Sequence, residues 1–201
     1  MGNEQKFQVR NRPTQKRAQE TFDLILHTAA LLLEEVGFDK LNTNLICKHA
    51  NITPPALYRY FSNKYSILEE LGRTLMDVQN QSSFRWMEEY RNQPLEDEDL
   101  AQLLREQYVI TKEFHGAKWI MRSLRSVPKL AQVRFDSHAL MNGEFTRWYS
   151  EKLPDIDPKI IERRVRVTNE AGYALIEMLL DGDHDDADEV FADAAIMFTA
   201  F

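Results

Sequence analysis

The sequence predicts an all-α protein. Apolar residues recur at intervals of three and four along most of the 201-residue chain, which is the periodicity of amphipathic helices. No segment shows sustained alternation of polar and apolar residues, so we predict no β-sheet. With seven glycines and seven prolines, the chain is also too poor in turn-forming residues for a turn-dense β-sandwich.

The first part of the chain is predicted to form three helices. A long amphipathic helix over residues 14–36 ends at Gly37, where we expect the backbone to turn left-handed. Asn42 is a predicted N-cap for a short helix that reaches Ala50. Thr53 is predicted to cap the next short helix, whose first turn contains two prolines and loses little by lacking their N–H groups.

Six further helices are predicted from breaks and from apolar periodicity. An acidic run opens one of them, and it lies at the positive end of that helix dipole. An Asp-Pro pair opens another, which combines an N-cap with a proline in the first turn. These helices span roughly residues 64–90, 96–113, 118–125, 128–153, 157–181 and 187 to the end of the sequence.

Composition excludes several classes of protein. A single cysteine, Cys47, rules out an intrachain disulfide framework and a multi-cysteine metal site. No apolar run approaches the ~20 residues that a membrane helix needs. The first residues lack the apolar core of a signal peptide. We therefore expect a soluble, cytoplasmic protein.

Charge is distributed unevenly along the chain. The net charge is −7, yet residues 1–64 contain nine Lys/Arg against six Asp/Glu, while the remainder is strongly acidic. Phosphate binding depends on the charge of the contacting face rather than on that of the whole chain. The basic N-terminal part therefore favours a nucleic-acid partner.

Residues 42–61 have the pattern of a helix-turn-helix. Two short helices flank the turn Asn51-Ile52-Thr53, and asparagine adopts the left-handed conformation that such a turn needs. In this motif the second helix enters the major groove of DNA. A helical hairpin that serves only for packing would show the same pattern.

The wider segment of residues 20–71 resembles the DNA-binding domain of the TetR/AcrR family of bacterial transcriptional regulators. A Val-Gly-Phe end of the long helix carries part of this resemblance. Its most recognisable run is formed by Leu57, Tyr58, Tyr60, Phe61 and Lys64. Asn51 and Cys47 depart from the Gly and Ala that are usual in the family. Pro55 and Ala56 depart from it on the predicted recognition helix, which affects the base sequence that is read.

The resemblance implies that Tyr58 and Lys64 contact phosphates and that Tyr60 contacts the DNA backbone or a base. A phenol donates one hydrogen bond, and an ammonium adds positive charge beside the backbone. Core packing is the alternative for the two tyrosines.

Other side chains of the motif suit DNA by their own chemistry. Thr43 and Thr53 have hydroxyls that donate to phosphates at helix starts. Pro55 and Ala56 offer apolar contact to a thymine methyl group. Arg59 is the long donor that reaches a guanine edge, unless it is solvated or paired with the first helix.

A basic arm precedes the first helix. Arg10, Arg12, Lys16 and Arg17 either lie along or in the minor groove or belong to an unstructured tail.

The resemblance implies a division into an N-terminal arm and DNA-binding domain, residues 1–64, and a helical effector-binding and dimerisation domain, residues 65–201. The last two predicted helices have apolar faces wider than one core needs. We therefore expect a homodimer through these helices, as in a four-helix bundle.

An effector pocket is expected among the middle helices, where aromatic and Met residues interleave with polar ones. The same residue types also fill ordinary cores. The candidate lining residues are Trp86, Met87, Tyr108, Trp119, Met121, Arg122, Met141, Phe145 and Tyr173. His115, His138 and Asn169 are further polar candidates for orienting a ligand.

The predicted function is that of a ligand-responsive repressor that binds a palindromic operator as a dimer. We identify no catalytic constellation, no metal-ligand set and no cofactor motif, so we expect no enzyme activity. The alternative is a helical small-molecule-binding protein or enzyme in which the helix-turn-helix is only a packing element.

Overall fold

The computed structural model describes residues 12–182 and 184–199, and nine helices form this described part. Arg10, predicted to belong to a DNA-contacting arm, lies outside the described residues. The helices are α1 (Lys16–Lys40), α2 (Thr43–His49), α3 (Pro54–Tyr58), α4 (Lys64–Glu89), α5 (Asp97–Glu113), α6 (Ala117–Ser126), α7 (Ala131–Lys152), α8 (Pro158–Asp181) and α9 (Ala187–Thr199).

The predicted helices are confirmed, with two differences at their ends. Gly37 has the expected positive φ of 75° and interrupts the helical backbone there; one more helical turn follows this kink, so α1 reaches Lys40. The helix expected from Pro128 begins instead at Ala131. The amide of Leu130 donates to the carbonyl of Val127, three residues back, which closes a tight turn before α7 starts.

Capping side chains fix two of the helix starts. Asn42 accepts a hydrogen bond from the Leu45 amide at 3.0 Å, and Asp157 accepts one from the Lys159 amide at 2.9 Å, as predicted. Thr53 does occupy the N-cap position of α3. Its hydroxyl, however, makes no capping hydrogen bond, so that part of the prediction is wrong.

Across the part of the chain that the structure describes, no helix is both long and apolar enough to cross a membrane.

The chain divides into two compact units. Unit 1 comprises residues 12–75 with Phe114–Arg134, and unit 2 comprises Met76–Glu113 with the described residues from Phe135 onward. α6 belongs to unit 1 because it packs against α1. The boundaries of these compact units differ from the expected division at residue 64. That division separates a DNA-binding part from an effector-binding part, and it remains a prediction.

Aromatic and aliphatic side chains form the core of unit 1. The rings of Phe22 and Phe61 stack with centroids 4.9 Å apart. Ile46 and Leu57 are fully buried and hold α2 and α3 in this core. Burial of such side chains contributes roughly 1.5–3 kcal/mol each, so the orientation of the two short helices depends on this core.

In unit 2, α5 packs against α8 and α9, and two tryptophans bind neighbouring backbone. The indole N–H of Trp148 donates to the carbonyl of Met87 at 2.8 Å, and that of Trp86 donates to the carbonyl of Asp99 at 3.0 Å. A buried indole needs such a partner, since an unsatisfied N–H is costly. These bonds help to fix the helices that surround the cavity described below.

Candidate nucleic-acid interface and cavity

The turn between α2 and α3 has the geometry of a helix-turn-helix. Asn51 has a φ of 50° and is the only non-glycine residue with positive φ in the described ranges. The Ile52 amide donates to the Cys47 carbonyl at 3.1 Å, which closes the turn. The left-handed conformation expected for Asn51 is confirmed.

α3 has one face in the core and the other in solvent. Leu57 is fully buried, whereas Pro55, Tyr58 and Arg59 are exposed and Ala56 is half-buried. Thr53 at the start of the helix is also exposed. The helix therefore presents several of the side chains for which DNA contact is predicted, and those contacts remain predictions.

Two predicted phosphate donors meet at the ends of α2 and α3. The hydroxyls of Thr43 and Tyr58 lie 3.0 Å apart, within hydrogen-bond distance. This bond joins the first residue of α2 to the last residue of α3. It fixes the tyrosine ring, and an ordered donor loses less entropy on binding a phosphate.

Tyr60 and Lys64 have structural contacts as well as predicted DNA contacts. Tyr60 is only 4% exposed and packs edge-on against Phe22, so little of its surface is left for DNA. The Lys64 ammonium donates to the Phe38 carbonyl at 3.1 Å and lies 4.4 Å from the centre of the Phe38 ring. A lysine has three donors, so the ammonium still has donors for a phosphate.

The basic arm is partly engaged with the protein itself. Arg12 donates two hydrogen bonds to the carboxylate of Glu70, at 2.9 and 3.0 Å. Sequence reasoning missed this pair because the residues lie 58 positions apart. Lys16 and Arg17 are exposed in the first turn of α1.

Unit 2 contains a cavity of about 120 Å³. It brings together three of the side chains predicted for the effector pocket, namely Met141, Phe145 and Tyr173. His138 and Asn169, expected to orient a ligand, also line it. The prediction of a pocket among the middle helices therefore has a physical counterpart, while its use by an effector remains a proposal.

The other predicted pocket residues lie elsewhere. Trp86 and Met87 are buried in the core of unit 2, where the Tyr108 ring packs against Phe191. Large apolar and aromatic side chains suit a protein core as well as the wall of a ligand pocket, so the sequence alone did not distinguish these two roles.

The predicted pocket residues of α6 belong to unit 1, not to the cavity. Met121 is fully buried, and the Arg122 guanidinium lies 5.2 Å from the centre of the Trp119 ring. His115 also belongs to unit 1, where its Nδ1 lies 3.0 Å from a carboxylate oxygen of Glu34. These residues therefore do not line the cavity of unit 2.

Sequence reasoning missed a polar wall of the cavity. Gln79, Ser83, Gln107 and Ser137 line it and are buried. The signal was available, because Gln79 and Ser83 follow Met76 at the helical spacing of three and seven residues, on a face that otherwise buries apolar side chains.

Among the described residues that line the cavity, His138 and two tyrosines are the ionisable side chains. No Asp, Glu, Lys or Arg occurs among its lining residues in the described part of the chain. Tyr149 also lines it, and burial raises the pKa of its phenol to about 12, so this group stays protonated at neutral pH.

Residues 25–71 match the family model described as bacterial regulatory proteins, tetR family. Among curated proteins, the tetracycline repressor protein class C of Escherichia coli is 30% identical over 61 residues. That match covers 30% of this chain and 28% of the repressor, so the chain spans well under a third of the curated relative.

Solved structures resemble the chain over nearly its whole length. A tetR-family transcriptional regulator from Streptomyces coelicolor has a TM-score of 0.65 at 19% identity, covering 90% of this chain and 80% of that one. The fatty acid degradation regulator FadR from Bacillus halodurans has a TM-score of 0.66 at 14% identity, covering 93% and 96%. RolR in complex with resorcinol has a TM-score of 0.59 at 18% identity, covering 92% and 93%.

These likenesses cover different parts of the chain. The family model and the curated relative concern the helix-turn-helix region, and the solved structures extend the same all-helical fold over the rest of the chain. Residues 25–71 therefore match the tetR family of bacterial regulatory proteins over the helix-turn-helix, and the chain shares its all-helical fold with solved structures of TetR-family regulators.

Proposed function

We propose that the protein is a transcriptional repressor that binds a palindromic operator as a homodimer and releases it when a small molecule binds. The observation that carries this proposal is the helix-turn-helix within the family match, whose second helix is anchored by Leu57 and exposes Tyr58 and Arg59. A helix exposed in this way suits docking in a major groove.

Exposed apolar side chains on α8 support a dimer. Val167 is 62% exposed and Met178 is 45% exposed. The opposite face of α8 is already occupied, since Ile161 and Ile176 are buried in unit 2. α8 thus has a second apolar side that the described residues of the chain leave uncovered and that suits a subunit interface.

α9 has the same feature. Ile196 is 57% exposed and Met197 is 75% exposed, while Phe191 and Ala195 on its other face are buried. A symmetric pairing of α8 and α9 with those of a second chain would bury these residues. A two-fold dimer also presents two recognition helices, which matches an operator with inverted half-sites.

The cavity is the proposed effector site. It lies in unit 2, and α4 contributes residues to both units. A ligand in the cavity touches α4 at Met76 and Gln79. It changes DNA affinity only if it binds one conformation of the dimer better than another, and we propose α4 as the element whose position differs between them.

A mobility-shift titration against the DNA upstream of the protein's own gene tests this proposal. The expected result is a shifted band that survives an excess of unrelated DNA, and a transcription reporter should show lower output when the protein is present. Binding to no fragment better than to unrelated DNA would contradict the proposal. It would favour a small-molecule-binding protein in which the helix-turn-helix is only a packing element.

A further inference from the structure

A buried network fixes the orientation of the Gln79 amide in the cavity wall. The Thr111 hydroxyl donates to the carbonyl of Gln107 at 2.6 Å, which uses its only proton. Thr111 therefore accepts from Gln79, whose Nε2 lies 2.7 Å from that hydroxyl. The amide nitrogen of Gln79 points into the protein network.

The Gln107 amide is fixed in the same way. Its Nε2 donates to the Gln79 carbonyl at 3.0 Å and to the Ser83 hydroxyl at 3.1 Å, which uses both of its protons. A backbone carbonyl only accepts, so the amide of Gln107 has one possible orientation here.

Two amide oxygens are left as acceptors. Gln79 is 8% exposed and Gln107 is 9% exposed, and both line the cavity. Within residues 12–182 and 184–199, the side-chain oxygens of these two glutamines accept no hydrogen bond. Buried acceptors favour a partner that brings a donor, because an unmade hydrogen bond is costly.

The cavity offers no counter-charge to an ionic ligand. The histidine of its wall, His138, lies with Nδ1 2.9 Å from a carboxylate oxygen of Glu170. Nδ1 of His138 is thus engaged by Glu170, which does not itself line the cavity. A buried ion without a partner is strongly disfavoured, so both carboxylates and ammonium ions lack a matched site among the lining residues.

The remaining wall is apolar and the space is small. Leu103, Leu104, Phe145 and Ile176 contribute aliphatic and aromatic surface. The volume of about 120 Å³ is close to the ~150 Å³ of an apolar cavity that holds a benzene ring. The cavity therefore suits a compact ring with its polar group at one end.

We propose that the effector is an uncharged molecule of about one ring in size, with a hydroxyl or N–H group that donates to the amide oxygens of Gln79 and Gln107. The proposal rests on the proposed function only in assigning this cavity to the effector. The preferred ligand is therefore a neutral hydrogen-bond donor, and carboxylates, ammonium ions and pure hydrocarbons are expected to bind less tightly.

Calorimetric titration of the full chain with four one-ring probes tests the proposal. Phenol is a neutral donor, anisole is its methyl ether without the donor, benzoate is an anion and benzylamine is a cation at neutral pH. Phenol is expected to bind about five- to tenfold more tightly than anisole, as one net hydrogen bond predicts, and more tightly than either ion. Equal or tighter binding of anisole, benzoate or benzylamine would overturn the proposal, as would no measurable binding of phenol.

Variants place the donor contact within the cavity. Gln79→Met is expected to remove most of the preference for phenol over anisole, and Gln102→Met, an exposed position on α5, is expected to preserve it. Circular dichroism checks that each variant is folded. If Gln79→Met does not fold, Gln79→Leu takes its place, and the comparison of the four probes in the parent protein tests the proposal independently. A preference unchanged in a folded Gln79 variant would overturn the assignment. Operator binding is measured separately, so loss of the ligand preference with DNA binding intact contradicts this inference alone.

Discussion

Tyr58 and Lys64 show how single side chains of the helix-turn-helix region combine a structural contact with a predicted DNA contact. Tyr58 joins α3 to α2 through Thr43, and Lys64 joins the start of α4 to the Phe38 carbonyl. Both residues also belong to the set for which the family resemblance implies phosphate contacts. Because a substitution at either residue removes an internal bond, the stability of each variant has to be measured beside its DNA affinity.

Tyr58→Phe is expected to weaken binding to all DNA sequences alike by about tenfold or more. The reason is that a hydrogen bond to a charged group contributes roughly 1.5–3 kcal/mol and carries no base information. Fluorescence anisotropy with operator and with unrelated DNA measures the effect. Tyr108→Phe, which lies in unit 2, is the matched control and should bind as the parent does. An unchanged affinity for Tyr58→Phe would remove this residue from the interface.

Arg59→Ala is expected to change which sequence is preferred. Arg59 is exposed at the end of α3, and its guanidinium lies 5.7 Å from the centre of the Tyr60 ring. A bidentate contact to guanine contributes about 1–3 kcal/mol of discrimination at one position. Selection of binding sites from random DNA measures this, with Arg85→Ala, an exposed arginine of unit 2, as the control. If Arg59→Ala selects the same sequence as the parent, Arg59 does not read a base.

Among the elements, α6 depends on two glycines for its packing against α1. Gly116 has a φ of 74°, and a Cβ there would lie 2.8 Å from the Ala30 carbonyl oxygen. Gly37 has a φ of 75°, and a Cβ would lie 3.2 Å from the Trp119 ring. Both positions need a residue without a Cβ because the backbone is left-handed and the neighbouring helix is close.

Gly116→Ala is expected to lower the melting temperature. A left-handed alanine costs roughly 1–2 kcal/mol before the clash is counted, and each kcal/mol corresponds to roughly 2–4 °C in a chain of this size. Gly143→Ala is the matched control, since a Cβ there meets nothing within 4 Å and the position lies inside α7. That control should raise the melting temperature, because alanine is the better helix former. Thermal unfolding followed by circular dichroism compares them, and equal shifts would contradict the packing described for Gly116.

The two-sided character of α8 and α9 leads to a test of the dimer. Met178→Glu and Met197→Glu are each expected to raise the dimer dissociation constant by about a hundredfold or more, since each dimer would bury two unpaired charges. Both side chains are exposed in the single chain, so its folding should be preserved. Leu175, which also lies on α8, is a poorer probe because it packs against the core of unit 2.

Sedimentation velocity over a range of concentrations measures the dissociation constant. Val109→Glu, at an exposed apolar position of α5, is the control and should leave the assembly unchanged. A dimer of parent-like affinity in both methionine variants would show that the subunits meet elsewhere.

At the scale of the whole molecule, the helices could be predicted from local sequence signals, whereas the cavity could not. Caps such as Asn42 and Asp157 and the left-handed Asn51 depend on neighbouring residues, so the sequence alone predicts them. The cavity depends on which helix faces meet, and aromatic residues such as Trp86 and Trp119 have the same composition signal in a core as in a pocket. Glutamines on a helix face that otherwise buries apolar side chains were the better sequence signal for the cavity.

The ion pair between Arg12 and Glu70 could not be predicted from the sequence either, because it too depends on which parts of the chain meet. A hydrogen bond across 58 residues depends on tertiary structure, and the charge pattern alone equally suits an arm in the minor groove. The family resemblance added what periodicity lacks, because it predicts that the helix-turn-helix binds DNA, whereas periodicity alone fits any helical hairpin equally well.

Selection of binding sites from random double-stranded DNA with the purified parent protein tests most directly whether the protein binds a specific DNA sequence as a dimer. We predict enrichment of an inverted repeat whose half-sites lie about one helical turn or a multiple of it apart, as two symmetric recognition helices require. No enriched sequence would contradict DNA reading by this protein. Enrichment of an isolated half-site would contradict the dimer.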